Sequence, residues 1–186
     1  MRLFIAIDYT DEVKDLIQEN VNIIKPRLPR GIKWVEEENY HITFKFLGDV
    51  SKNKIDTLSE ILEDTTKQFY SFAIQFGNLA VIPNARRPRI LWYDMVEKTG
   101  IANNIFRILE QKLVQEDFKK AKRPLSLHTT LARIKYPMKV DWKAVFNKTS
   151  PITKTINCSS LTLFKSKLTQ KGPLYSIMNK FNFSKK

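Results

Sequence analysis

The chain has 186 residues, 42% of them apolar, with 32 Lys and Arg against 19 Asp and Glu, a formal charge of +13. That length and apolar content suffice for a substantial core in one domain or two small interlocked lobes, so the chain is expected to fold unaided. The charge asks for a polyanionic partner, nucleic acid being the commonest, and the lone Cys158 excludes an internal disulfide or a multi-cysteine metal cluster.

The opening "MRLFIAIDYT" carries only five apolar residues in a row before Asp8, too few for a signal peptide, and no later run approaches a membrane span. A soluble cytoplasmic protein, working as a monomer away from membranes, is expected. After a first strand, "RLFIAID", Thr10 can cap a helix with Asp11 and Glu12 in its first turn. Val13, Leu16, Ile17, Val21 and Ile24 then recur at helical spacing until Pro26. "GIKWV" reads as a short strand and "HITFKFLGDV" as the next, with Ile42, Phe44 and Phe46 on an apolar side and His41, Thr43 and Lys45 on the other. Ser51 is expected to cap a second helix with a stripe of Ile55, Leu58, Ile61 and Leu62.

"SFAIQFGNLAVIP" and "RPRILWYDMV" read as strands joined by the turn-like "PNARRP". Thr99 can open a third helix carrying Ile101, Ile105, Ile108 and Leu109. "LSLHTTLARIKY" is a further strand, followed by a short helix or loop around Asp141 to Asn147. "CSSLTLFKS" and "LYSIMNKFNF" close the chain as two strands about the turn "KLTQKGP". Cys158 falls in strand-like sequence and reads as a small buried thiol. With no Gly/Ser linker to mark a boundary, residues 1–186 are expected to form a single bilobal α+β domain. Mostly antiparallel sheets would make two related lobes, with helices packed outside and a central cleft.

The two histidines carry the chemistry. Each is followed two positions later by threonine, His41 by Thr43 in "HIT" and His128 by Thr130 in "HTT". With 13 threonines in 186 residues, that double occurrence is about a 1-in-200 coincidence (13/186 for each histidine). In a strand, residues i and i+2 point the same way, so each pair is a unit on one face. An imidazole with an ordinary pKa near 6.5 can hold a proton for a leaving group while a second, deprotonated, takes one from water. A threonine hydroxyl beside each can donate to a bound oxyanion, its branched carbon fixing χ1. The substrate such a pair suits best is a phosphate diester. A metal site is not expected, since each histidine stands 128 − 41 = 87 positions from the other and zinc sites need closer ligands or cysteines. Nor does a G-x-S-x-G turn support a serine triad.

"HITF" and "HTTL" are the two H-x-T-x motifs of the two-histidine phosphoesterases. The chain resembles their RNA 2′,3′-cyclic phosphodiesterase branch, also called the 2′-5′ RNA ligases. "MRLFIAID", "NYHITFKFLG", "RPRILW", "LHTTLAR" and "LTLFKSKLTQKGPLY" follow one another in that family's order. The resemblance implies two lobes with the motifs facing across a cleft, and metal-independent, cofactor-free opening of a terminal 2′,3′-cyclic phosphate to a 2′-phosphate. It implies that His41 gives the proton to the leaving 3′ oxygen, that His128 activates water, and that Thr43 and Thr130 bind phosphate oxygens. The expected partners are RNA ends or nucleotides bearing the cyclic phosphate. Ligation at the same site, or a binding module without turnover, are the alternatives.

Counting by twos from His128 sends Arg133 to the opposite face, so either the strand bulges or ends there or this arginine is structural. Lys45, beside His41 on a regular strand, reads first as a solvated side chain and second as a phosphate attractor. Trp34, Trp92 and Tyr93 are candidates for base stacking, with core packing the default for each.

Overall fold

The structure, a computed structural model, describes residues 1–136, 138–170 and 172–185. The elements run β1 (Arg2–Asp8), α1 (Asp11–Ile24), β2 (Ile32–Trp34), β3 (His41–Asp49), α2 (Ile55–Lys67), β4 (Phe72–Ile82), β5 (Ile90–Val96), α3 (Ile101–Gln115), β6 (His128–Ile134), α4 (Trp142–Phe146), β7 (Thr155–Cys158), β8 (Ser160–Leu168) and β9 (Pro173–Asn182). Two sheets result, one ordered β3-β1-β8-β9 and the other β2-β6-β5-β4-β7. Every strand pairing within them is antiparallel. The fold class is the expected α+β arrangement of two lobes with helices outside.

The lobes are interleaved. β1, β3, β8 and β9 build the first sheet while β2 and β4 to β7 build the second, so neither lobe is one stretch of chain. The last transfer takes a single residue, Ser159, between β7 and β8; the sequence pattern read the start of that region as one continuous strand. Helices add to the exchange. α1 leaves the first sheet and meets the second, where the Asn20 amide donates to the Tyr93 hydroxyl at 2.9 Å. α3 leaves the second and meets the first, where the Lys45 ammonium pairs with Glu110. Interlocking of this kind explains why no linker marks a boundary.

Helices begin where caps allow. Thr10 stands at the start of α1 as read from the sequence, in an extended conformation, with its carbonyl rather than its hydroxyl taking the first amide bonds. Ser51 opens a single 3-10 turn, Lys52–Lys54, so α2 starts at Ile55, three residues later than expected. At α3 the cap is Glu97, whose carboxylate accepts from the amides of Thr99 at 2.6 Å and Ala102 at 3.1 Å, while Gly100 takes φ 78°. Val13, Ile17, Val21 and Ile24 of α1, Leu58 and Leu62 of α2, and Ile105 and Leu109 of α3 are buried against the sheets. Each such side chain contributes about 1.5–3 kcal/mol of burial free energy. The Thr169–Gly172 turn closes the last hairpin; Lys171 of that turn lies outside the described residues.

Two bulges decide which residues face the cleft. On β3, Ile5 pairs with Lys45 and Ala6 with Thr43, so Phe44 has no partner on β1; a second shift passes over Leu47. On β6, Leu91 pairs with Ala132 and Trp92 with Thr130, so Leu131 is the extra residue. A bulge turns the following residues over by one position. Phe44 and Lys45 are therefore buried in succession, as are Leu131 and Ala132. Two expectations are corrected here. Phe46 does not join Ile42 and Phe44 in the core but is 69% exposed on the cleft side, and Lys45 does not share the face of His41 but lies buried among core residues.

Candidate active site

β1 runs through the first sheet without a bulge of its own, so Arg2, Phe4, Ala6 and Asp8 share the cleft face while Leu3, Ile5 and Ile7 share the core face. Opposite them on β3 stand His41 against Asp8, Thr43 against Ala6 and, past the bulge, Phe46 against Phe4. The second sheet repeats the ladder. On β5 and β6, His128 stands against Asp94, Thr130 against Trp92 and, past the bulge, Arg133 against Ile90. Each histidine thus has a cross-strand aspartate, and position His+5 is Phe46 in one lobe and Arg133 in the other.

The two strands lie against each other where the sheets meet. Tyr9, which follows Asp8, is hydrogen-bonded through its hydroxyl to Thr129, the residue between His128 and Thr130, tying the two motifs together under the cleft. Burial pushes the Tyr9 phenol far above its usual range, so it stays protonated.

Both imidazoles are oriented alike. His41 Nδ1 lies 2.7 Å from the Asn39 carbonyl and His128 Nδ1 lies 2.8 Å from the Ser126 carbonyl, each two residues upstream. A carbonyl can only accept, so Nδ1 carries hydrogen in both rings and Nε2 is left for chemistry. His41 Nε2 is 3.0 Å from the Thr43 hydroxyl, which donates to it when the ring is neutral.

The surroundings favour neutrality. Burial lowers the His41 pKa to about 4, against the raising effects of the Asn39 carbonyl and Asp8, and a charge on His128 lowers it further. His128 is lowered too, first by burial and also by Arg133, while the Ser126 carbonyl and Asp94 work the other way.

Aromatic rings wall the site. Phe4 stands 5.0 Å from the His41 ring centre, Tyr175 5.5 Å and Phe164 6.1 Å, with Phe4 and Phe164 stacked at 5.1 Å. Trp92 packs at 4.3 Å against His128, and its indole Nε1 is buried without a hydrogen-bond partner. Of the base-stacking candidates, Trp92 therefore belongs to the cleft. Tyr93 is buried on the core face, bonded to Asn20, and Trp34 pairs with Ala132 on the side away from the cleft, with the Lys25 ammonium 6.0 Å over its ring. Cys158 is buried and its thiol is pushed up to about 12, so it is an inert core residue.

The four residues singled out, His41, Thr43, His128 and Thr130, are brought to the cleft faces of the two sheets. Sequence reasoning missed Phe4, Phe164 and Tyr175, and left Arg133 open; the bulge turns Arg133 to the side of His128 and Thr130, where it is exposed. Lys45 is settled the other way, its ammonium bonded to Glu110 and, at 2.8 Å, to the Lys119 carbonyl. Among the described residues no group of three or more His, Cys, Asp or Glu is placed to hold a metal ion, and no helix is long and apolar enough to cross a membrane.

Residues 7–92 and 96–175 match the model of the LigT-like phosphoesterases. The chain is 33% identical to the RNA 2′,3′-cyclic phosphodiesterase of Archaeoglobus fulgidus, over 97% of this chain and 99% of that one. It is 29% identical to the protein of the same name from Methanothermobacter thermautotrophicus, over 97% and 98%. Among solved structures, TT0787 of Thermus thermophilus has the same fold, with a TM-score of 0.81 at 22% identity over 98% of each chain. E. coli LigT complexed with 3′-AMP has a TM-score of 0.76 at 21% identity, over 99% of this chain and 98% of that one. The chain belongs to the LigT-like phosphoesterase family.

Proposed function

We propose that the chain is an RNA 2′,3′-cyclic phosphodiesterase that opens a terminal 2′,3′-cyclic phosphate to a 2′-phosphate, residues 1–186 working as one two-lobed unit. The observation that carries this reading is the matched pair of imidazoles, each with Nδ1 committed to a backbone carbonyl and Nε2 left on the cleft face. The relatives bear the name of that activity, and one structural neighbour is a complex with 3′-AMP.

In the proposed reaction the cyclic phosphate lies between the lobes, its equatorial oxygens taking hydrogen bonds from the Thr43 and Thr130 hydroxyls. His41, protonated at Nε2, gives its proton to the departing 3′ oxygen. Neutral His128 takes a proton from the attacking water at its own Nε2. Phosphorus gains a bond to the water oxygen as it loses the bond to O3′, and the two imidazoles end with their protonation exchanged. The assignment of donor and acceptor follows the family resemblance. Burial in the cleft keeps both rings neutral, so the donor form arises when the phosphate anion enters and stabilises a proton beside it.

The test is turnover of a nucleoside 2′,3′-cyclic phosphate by purified protein in EDTA, with the product identified chromatographically. His41→Ala and His128→Ala are each expected to lower kcat by about 10²- to 10⁴-fold while keeping the circular dichroism spectrum of the parent. Full activity in either variant, or a 3′-phosphate product, would refute the scheme.

A further inference from the structure

Beyond the catalytic rungs, the cleft ends on two cations with no acid to answer them among the described residues. Lys33 of β2 is the cross-strand partner of Arg133 on β6. Partners of this kind point to the same face, so Lys33 lies on the cleft side with Arg133, His128 and Thr130, while Ile32 and Trp34 turn to the core. Both Lys33 and Arg133 are exposed, and neither forms an ion pair among the described residues. Like charges directly opposite on neighbouring strands destabilise a sheet unless an anion sits between them.

The pair also lies between the lobes. A Cβ built on Gly172, in the β8–β9 turn of the first sheet, would come 3.6 Å from the Lys33 ammonium, so this side chain reaches across to the opposite lobe. Burial raises the pKa of the Tyr175 phenol, with Arg133 and Arg2 working the other way, and the Tyr175 ring lies beside His41. Arg2 faces Asp49 across β1 and β3, whereas Lys33 and Arg133 face one another across β2 and β6. The opposite end of the same cleft carries Asp8 and Asp94 beside the histidines. Asp8 is answered there by Lys14 at 3.5 Å and Lys180 at 3.3 Å, whereas Lys33 and Arg133, past the β6 bulge, form no ion pair among the described residues.

Resting on the activity proposed above, we propose that Lys33, with Arg133 beside it, holds the phosphodiester immediately 5′ of the nucleotide bearing the cyclic phosphate, and so directs the enzyme to RNA chains rather than mononucleotides. Arg133 lies about 7–10 Å along β6 from Thr130, and Lys33 is one strand further out. The terminal phosphate occupies the threonines, and the next one along the strand meets the cation pair. Lys33 touches only the upstream phosphate, so it sets the affinity for longer substrates without taking part in bond breaking.

The experiment compares a nucleoside 2′,3′-cyclic phosphate with a short oligoribonucleotide ending in the same group, for the parent and Lys33→Gln. The expected result is a mononucleotide kcat/KM within about two-fold of the parent, an oligonucleotide KM raised about five-fold with kcat unchanged, and a salt slope for the oligonucleotide reduced by about 0.7. Equal effects on both substrates, or none on either, would overturn the subsite. If the parent turns over neither substrate, the activity fails independently, and the subsite is read from binding of a labelled oligoribonucleotide. Weaker, less salt-sensitive binding by Lys33→Gln then supports it, and unchanged binding rejects it.

Discussion

The Nδ1 contacts to Asn39 and Ser126 fix more than ring orientation. They make the two histidines chemically interchangeable, each with its reactive nitrogen toward the cleft, so their division into donor and acceptor depends on where the substrate places its oxygens. The threonines differ in one respect. Thr43 bonds His41 Nε2, so an entering phosphate must compete for that hydroxyl. Replacing either hydroxyl by a methyl of the same shape tests their contribution. Thr43→Val and Thr130→Val are each expected to lower kcat by about 10²-fold, the cost of one donor aimed at developing negative charge. Steady-state kinetics on a nucleoside cyclic phosphate would detect it, and a change confined to KM would assign the hydroxyls to ground-state binding alone.

At the scale of elements the bulges matter most, and they are where sequence reading ran out. Strand and helix positions were legible because apolar residues recur at periods of two and 3.6, and the H-x-T pairs were legible because i and i+2 share a face. "HITFKF" looks like an unbroken alternation, however, since Ile42, Phe44 and Phe46 are all apolar, and nothing in the strand itself shows that β1 offers one partner too few. The hint was in the other motif. Arg133 is out of phase with His128, and Phe46 stands at the same offset from His41, so one irregularity shared by both lobes accounts for both residues. The aromatic wall was hidden for another reason, because Phe164 and Tyr175 come from strands far along the chain. Lys45 shows the consequence of the bulge in energy. Its ammonium is buried with Glu110, which also accepts from the Ala121 amide at 2.7 Å. Lys45→Met should destabilise the protein by about 3–5 kcal/mol by leaving that carboxylate without its cation. Adding Glu110→Leu should recover much of the loss. Chemical denaturation would measure both, and a Lys45→Met variant of parental stability with weakened substrate binding would instead place the ammonium in the cleft.

For the whole molecule, the interleaved lobes hold both histidines partly buried at the junction of the sheets, and burial couples stability and catalysis to pH in a defined direction. An unfolded histidine titrates near 6.5, whereas His41 in the folded chain is lowered to about 4, chiefly by burial, and His128 is lowered in the same sense. Between those limits the unfolded chain binds more protons than the folded one. Stability is therefore fully present above pH 6.5 and is lost as pH falls toward 4, the His41 contribution being at most about 3 kcal/mol. Catalysis has the opposite preference, because one imidazole must carry a proton. In the free enzyme the singly protonated pair becomes tenfold rarer with each pH unit above the higher of the two pKa values. The profile of kcat/KM should then be a bell with its maximum between pH 4 and 6.5. A bound phosphate anion stabilises the proton and moves the kcat profile to higher pH. Inorganic phosphate should accordingly bind with proton uptake and raise the melting temperature more at pH 5 than at pH 8. Titration calorimetry in two buffers of different ionisation enthalpy reads that uptake directly. Binding without uptake at pH 7, together with coincident kcat and kcat/KM profiles, would mean that the histidines do not share a proton in the manner proposed.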